Sequence, residues 1–297
     1  MSKTPNPVLK KLGMADTDRV IIIHTDDIGM CQSNVEAFSE LWEAGIISSG
    51  AIMYPCSWSN AAIDVCQKNP KIDMGVHLTL TSEWKFYRWG PISTRDRRSG
   101  LMDDEGYFYH TSEEVQKYGK PVAVKVELQA QLDRALKAGL KPTHIDTHMG
   151  SVAAAKFMNS YIGLAKKYKL PPMIFRMDEA EWSANGLDPL TAKLAARMIL
   201  KLEEQHLPLL DNLVGMPLEW SEDYTELTKK TLSELKPGIT HFIIHPTKDS
   251  PELRAIAPDW RARVANYHDF MSDEIRKHIQ KIGLHVIGYR ALAELIK

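Results

Sequence analysis

Short runs rich in β-branched and other apolar residues recur along this chain, and each is followed by a stretch whose apolar residues fall at helical spacing. The runs are RVIIIHT (19–25), SGAIMYP (49–55), DMGVHLTL (73–80), THIDTHM (143–149), PMIFRM (172–177), LLDNLVG (209–215), THFIIHP (240–246) and LHVIGY (284–289). Strands this apolar bury both faces, which a sheet manages when its strands run parallel with helices packed outside. About eight such units in 297 residues predict an α/β protein: one (β/α) barrel, TIM-barrel-like, regular or irregular, as a single domain over 1–297. The competing open, doubly wound sheet lacks its usual mark, because no GxGxxG follows the first run. Two helices are well bounded. SNVEAFSELWEAG opens on a Ser/Asn cap signal and closes on Gly45, and AVKVELQAQLDRALKAG closes on Gly139.

Charge narrows the partners. The 37 basic and 38 acidic residues nearly cancel and form no like-charged block, so neither nucleic acid nor an anionic membrane surface is expected. No run approaches a membrane span, and MSKTPNPVLKKLGMADTD lacks the apolar segment of a signal peptide. Cys31, Cys56 and Cys66 have no metal-type spacing, which fits a reducing cytoplasm. A homodimer is compatible with the sequence but not dictated by it.

From Ser82 to Thr111 the chain runs through aromatics, arginines and glycines with no clean periodicity. A loop of this length is uncommon unless functional, and it follows the run bearing His77, so it should emerge at the mouth of a barrel. Trp84, Phe86, Tyr87, Trp89, Tyr107 and Tyr109 could offer flat faces to a sugar ring. The alternative is a surface excursion packed by its own aromatics.

Ionisable residues recur where the strands end. TDDIG carries Asp26 and Asp27, GVHLTLT carries His77, THIDTHMG carries His144, Asp146 and His148, FRMD carries Arg176 and Asp178, and IIHPT carries His245. Any one of these histidines is more often a satisfied core residue than a ligand, but parallel strands bring their ends to one mouth. His144 and His148 would face one ion on a helix. On a strand four residues span roughly 13 Å at about 3.3 Å each, so only His148, nearest the strand end, is expected to be a ligand. His144 and Asp146 lie deeper on the same face. Two adjacent carboxylates at a strand end need positive charge nearby, and a divalent cation held by Asp27, His77 and His148 would supply it. Zn²⁺ or Mg²⁺ is the expected ion, with other first-row divalent ions as substitutes. The rival account of the acid pair is a cap for the helix that begins near Ser33.

The pieces TDDIG, EAGIISSGAIM, GVHLTLT, LMDDEGYFY, KPTHIDTH and the late HP, in this order from about residue 20 to 246, resemble the YdjC-like carbohydrate deacetylases, relatives of the chitooligosaccharide deacetylases. The resemblance implies a (β/α) barrel, metal ligation by Asp27, His77 and His148, Asp26 as catalytic base and His245 as general acid. Two departures stand out. His24, Thr25 and Ile28 replace the family's usual asparagine, alanine and phenylalanine, and Met149 and Gly150 replace the histidine run after the second metal histidine. A chitobiose-like substrate is therefore not carried over.

Such a residue set suits hydrolysis of an amide or ester, with Asp26 taking a proton from water and His245 protonating the leaving amine. Arg176, on a neighbouring strand end, is expected to orient Asp26. The expected reaction is removal of an acetyl group from an N-acetylated sugar or oligosaccharide, releasing acetate. Rivals are a non-haem Fe(II) oxygenase, which also uses two histidines and a carboxylate, and a carbohydrate-binding protein with a vestigial metal site.

Overall fold

The computed structural model describes residues 4–296. Its sheet is parallel and curled, with strands β1 (Arg19–Ile28), β2 (Ser49–Ile52), β3 (Met74–Leu78), β4 (Ile145–Thr147), β5 (Asn212–Gly215), β6 (Gly238–Ile244) and β7 (His285–Val286). The order is β4-β3-β2-β1-β6-β5, and β7 pairs with the beginning of β1 at Val20 and Ile21. The α/β class is as expected, with seven strands among the described residues instead of eight.

The eighth run, PMIFRM, survives as single bridges, Ile145 to Pro172 and Phe175 to Leu210. Pro171 and Pro172 bring no N–H, so a continuous ladder cannot form there. Neighbouring amides still pair: Met173 N donates to Ile145 O at 3.0 Å and Arg176 N to Leu210 O at 2.8 Å. The segment thereby carries hydrogen bonding from β4 across to the residues just before β5.

β1 is buried from Val20 to Ile28. Its outward residues Ile21 and Ile23 join the main core with Phe38 and Leu41 of helix Gln32–Glu43. Its inward residues Val20 and Ile22 join a smaller cluster with Val8, Leu9, Ile239, Tyr289 and Leu292. Each buried isoleucine contributes roughly 1.5–3 kcal/mol. The alternation therefore sends positions 20, 22, 24 and 26 towards the inside of the curl. Helices Pro7–Lys11 and Tyr289–Ala293 close that inner cluster near the start of β1.

Helix Gln32–Glu43 has Cys31 at its N-cap with no side-chain cap bond. Asn34 works differently from a cap: its Oδ1 accepts from Gly29 N at 3.1 Å and its Nδ2 donates to Pro246 O at 3.1 Å, tying the end of β1 to the end of β6. The acid pair does not cap this helix. Helix Pro121–Lys137 stops just before Gly139, whose φ of +83° suits its C-terminal turn. The loop from 82 to 111 is pinned by Arg88, which donates to Asp103 Oδ2 at 2.7 Å and Phe108 O at 2.6 Å. All three cysteines are free and buried. Among the described residues no helix is long and apolar enough to cross a membrane.

Candidate active site

The pairing of β1 with β2 slips near its end: His24 lies opposite Ser49 and Thr25 opposite Gly50, but Ile28 lies opposite Ile52. The extra residue makes a bulge. Within it Asp27 adopts φ +62°, a left-handed conformation that costs a non-glycine residue about 1–2 kcal/mol. On a regular strand Asp26 and Asp27 would face opposite sides. The bulge turns both to one place, where His77 Nε2 lies 3.7 Å from Asp26 Oδ2 and 3.5 Å from Asp27 Oδ1. His245 Nε2, at the end of β6, stands 4.0 Å from the Oδ2 atoms of both.

Asp27, His77 on β3 and His148 just after β4 offer donor atoms within 4.8 Å of one another, a group that could hold a metal ion. His148 Nδ1 is 3.0 Å from Asp27 Oδ1. The outer nitrogen of each imidazole is taken by a carboxylate, His77 Nδ1 by Asp146 at 3.0 Å and His148 Nε2 by Glu83 at 3.0 Å. This arrangement orients a ligating histidine and raises its basicity. The inward atoms Asp27 Oδ1 and His77 Nε2 are buried and make no well-directed hydrogen bond, only the ion-pair approaches to His148, to Asp26 and to each other. Buried polar atoms rarely stay unpaired, so the donor set fits a bound cation.

The electrostatics agree. Burial opposes ionisation of Asp27, but the charges of His148 and Arg263 hold its carboxyl well below the usual range. For Asp26 burial is likewise outweighed, by the charge of His77 and the hydrogen bond from His24, and its carboxyl is also lowered. Burial disfavours a charged His77, yet Asp146 and Asp26 raise it well above its ordinary value. His148, buried too, is pushed up to about 9 by Glu83 and Asp27. His245 goes the other way, lowered chiefly by burial. The carboxylates thus demand positive charge at the two inner imidazoles, which a divalent cation satisfies without protonating them.

Asp26, Asp27, Glu83, Trp84, His148, His245 and Arg263 line a cavity of about 370 Å³. A larger groove, about 810 Å³, runs outside between helices Pro121–Lys137 and Ala155–Tyr168, but no histidine lines it. The long loop reaches the cavity through Glu83 and Trp84. Trp89, as buried as Trp84, does not line it: its Nε1 donates to Thr81 O at 2.7 Å, and Phe86 is 79% exposed. Of the loop's aromatics named from the sequence, Trp84 lines the cavity and Trp89 packs within the loop.

The arrangement brings together Asp26, Asp27, His77, His148 and His245, and leaves Arg176 out. Arg176 donates to Glu203, to Asp211 Oδ1 at 3.1 Å and to Thr4 O at 3.1 Å. Two carboxylates claim its guanidinium, so it ties the proline-bearing segment to its surroundings and does not orient Asp26. The arginine at the site is Arg263, on helix Trp260–Met271, whose Nη1 donates to Asp27 Oδ2 at 2.8 Å and whose Nε donates to Asp259 Oδ1 at 2.8 Å. Its spacing to Asn266 and Phe270, all on the buried face, was the one available signal. Glu83, in a loop without periodicity, had none.

The sequence model of the YdjC-like protein family matches residues 20–281. A carbohydrate deacetylase of Thermus thermophilus is 29% identical over 289 residues, 97% of this chain and 99% of the relative. A carbohydrate deacetylase of Thermoanaerobacter pseudethanolicus is 25% identical over 57% of this chain and 66% of its own length. Among solved structures, a protein of Enterococcus faecalis named for cellobiose-phosphate cleavage superposes with a TM-score of 0.75 at 22% identity, covering 93% of this chain and 99% of that one. That likeness concerns the fold.

Proposed function

The chain belongs to the YdjC-like protein family, and from that premise we propose that it is a metal-dependent hydrolase that removes the acetyl group from an N-acetylated sugar or small oligosaccharide, releasing acetate. The observation that carries this reading is the pair of buried atoms without a well-directed hydrogen bond, Asp27 Oδ1 and His77 Nε2, facing His148 beside a second carboxylate. Relatives named carbohydrate deacetylase, one of them matching over nearly the whole chain, support the substrate class. The cavity would then be the mouth of an irregular (β/α) barrel, as we read the curled sheet.

Asp27, His77 and His148 would hold the ion. Two imidazoles and one carboxylate suit Zn²⁺ or another first-row divalent ion better than Mg²⁺, which prefers oxygen ligands. A cation there would lower the pKa of water and polarise the amide carbonyl. Asp26, ionised and with Oδ2 facing the cavity side, accepts the proton of the attacking water. His245, whose Nε2 stands 4.0 Å from Asp26 Oδ2, passes that proton on to the departing amine, and the apolar wall with Trp84 receives the sugar ring. Three free, buried cysteines suit a reducing cytoplasm.

The test is a screen of N-acetylated mono- and disaccharides against Zn²⁺-loaded protein, scored by acetate release. Sugar binding without acetate from any of them would make the protein a binder, and turnover that requires oxygen would make it an oxygenase.

A further inference from the structure

Below Asp26 the interior of the sheet is polar, and its polar groups form a line. His24 Nδ1 lies 2.7 Å from Asp26 Oδ1, and His24 Nε2 lies 2.8 Å from His144 Nε2. His144 Nδ1 is 3.0 Å from Thr143 Oγ1, and Thr143 Oγ1 is hydrogen-bonded in turn to Asp73 Oδ1. Asp73 sits just before β3, at the opposite end of the strands from Asp26. All five residues are buried. His24, Asp26, Asp146 and His241 also stand close enough to hold an ion, but both His24 nitrogens are already engaged, which argues for the line and against a second metal.

We propose that Asp73, Thr143, His144 and His24 are positioning residues, a single hydrogen-bonded chain in which every link donates towards Asp26 and fixes the orientation of its carboxylate. This rests on the reading of Asp26 as the proton acceptor. The direction follows from the donor inventory. Asp26, read above as the proton acceptor, takes a hydrogen bond from His24, whose Nδ1 lies 2.7 Å from its Oδ1. A neutral His24 then has a bare Nε2, which must accept from His144 Nε2–H. His144 Nδ1 is then bare and accepts from the Thr143 hydroxyl, whose oxygen needs a donor in Asp73. Asp73 can be that donor only as the carboxylic acid. Arg290 N donates to Asp73 Oδ2 at 2.6 Å and Ser49 Oγ to Oδ1 at 3.3 Å, and Oδ1 is also the oxygen in the short contact with Thr143, where the acid proton sits in this pattern. Burial raises the Asp73 carboxyl above its usual value. The competing pattern has an ionised Asp73 and a doubly protonated His24 also facing Asp146 Oδ2, 3.4 Å from Nε2.

The chain holds Asp26 Oδ1 and leaves Oδ2 towards His77 and His245. Losing such an orienting partner typically costs roughly 10–100-fold in activity. The test reads side-chain ¹⁵N shifts of the full-length, metal-free protein, then kinetics of the Zn²⁺-loaded protein. His24 should be the Nδ1–H tautomer and His144 the Nε2–H tautomer. Thr143→Val cuts the chain and should mix the tautomers, lowering kcat about tenfold with KM and zinc content unchanged. Asp73→Asn is the conservative variant: its amide keeps a donor towards Thr143 and should retain both tautomers and most of kcat. A doubly protonated or Nε2–H His24 in the unaltered protein overturns the proposal, as does Asp73→Asn behaving like Thr143→Val, or a Thr143→Val kcat equal to that of the unaltered protein. The tautomers are read without substrate, so absent acetate release with the expected tautomers refutes the function above and leaves the chain standing.

Discussion

Asp26 and Asp27 are adjacent in sequence, and in the proposed mechanism one takes a proton while the other holds the ion, so they should fail differently. Asp27→Ala removes an inward oxygen and should lower zinc content measured after dialysis, as should His77→Ala and His148→Ala. Asp26→Asn keeps the shape and should retain the zinc while acetate release falls by roughly a hundredfold, the scale of a lost general base. Equal zinc loss in both would merge their roles. Arg263 belongs to the same arithmetic. Its guanidinium is buried against Asp27 and Asp259, and taking one partner from a buried ion pair costs about 3–5 kcal/mol. Arg263→Met should therefore shift urea unfolding of the metal-free protein by that much, and by less when zinc still offsets Asp27. The same loss with and without zinc would trace the effect to packing under Trp84, whose ring lies 5.3 Å from the guanidinium carbon.

Among the elements, β3 has the tightest constraint. A Cβ at Gly75 would lie 2.5 Å from His144 Nε2, and that ring is buried with nowhere to go. Overpacking of this kind costs about 1–3 kcal/mol, so Gly75→Ala should lower the melting temperature. Gly163→Ala, in an exposed helical position with nothing within 4 Å, should leave it unchanged or raise it slightly. The long loop divides by contact with the cavity. Trp84 and Trp89 are both buried, so either change to Ala should cost about 3–5 kcal/mol in unfolding, but only Trp84→Ala should also raise KM, because Trp84 lines the cavity and Trp89 does not. What was legible in the chain follows these same lines. Period-2 counting along THIDTHM separated His148 at the strand end from His144 beneath it, because a strand's alternation is a rigid property of the backbone. PMIFRM misled in part, since its apolar residues read as a strand while the prolines beside it deny it a ladder. Arg176 misled because nearness to a strand end says nothing about which carboxylates will claim a guanidinium.

For the whole molecule, an ion held by Asp27, His77 and His148 as proposed would link metal binding to folding. A ligand held only by the folded state adds RT ln(1 + [L]/Kd), about 2.7 kcal/mol at a hundred times Kd. Chelation should abolish acetate release and lower the melting temperature together, and Zn²⁺ or another first-row divalent ion should restore both; full activity after verified metal removal would sink the mechanism. The architecture was readable because alternating strands and helices leave few ways to bury both faces of a sheet. Gly29 marked a turn that would let both aspartates reach one mouth, but the left-handed bulge at Asp27 within β1 was not readable, because a φ of +62° at an aspartate has no compositional mark. The two helices that close the inner cluster near the start of β1 have a practical bearing. Pro7–Lys11 and Tyr289–Ala293 lie at the end of the strands away from the cavity. A solid support, fluorophore or carrier joined at either helix would lie away from the cavity and leave its opening free.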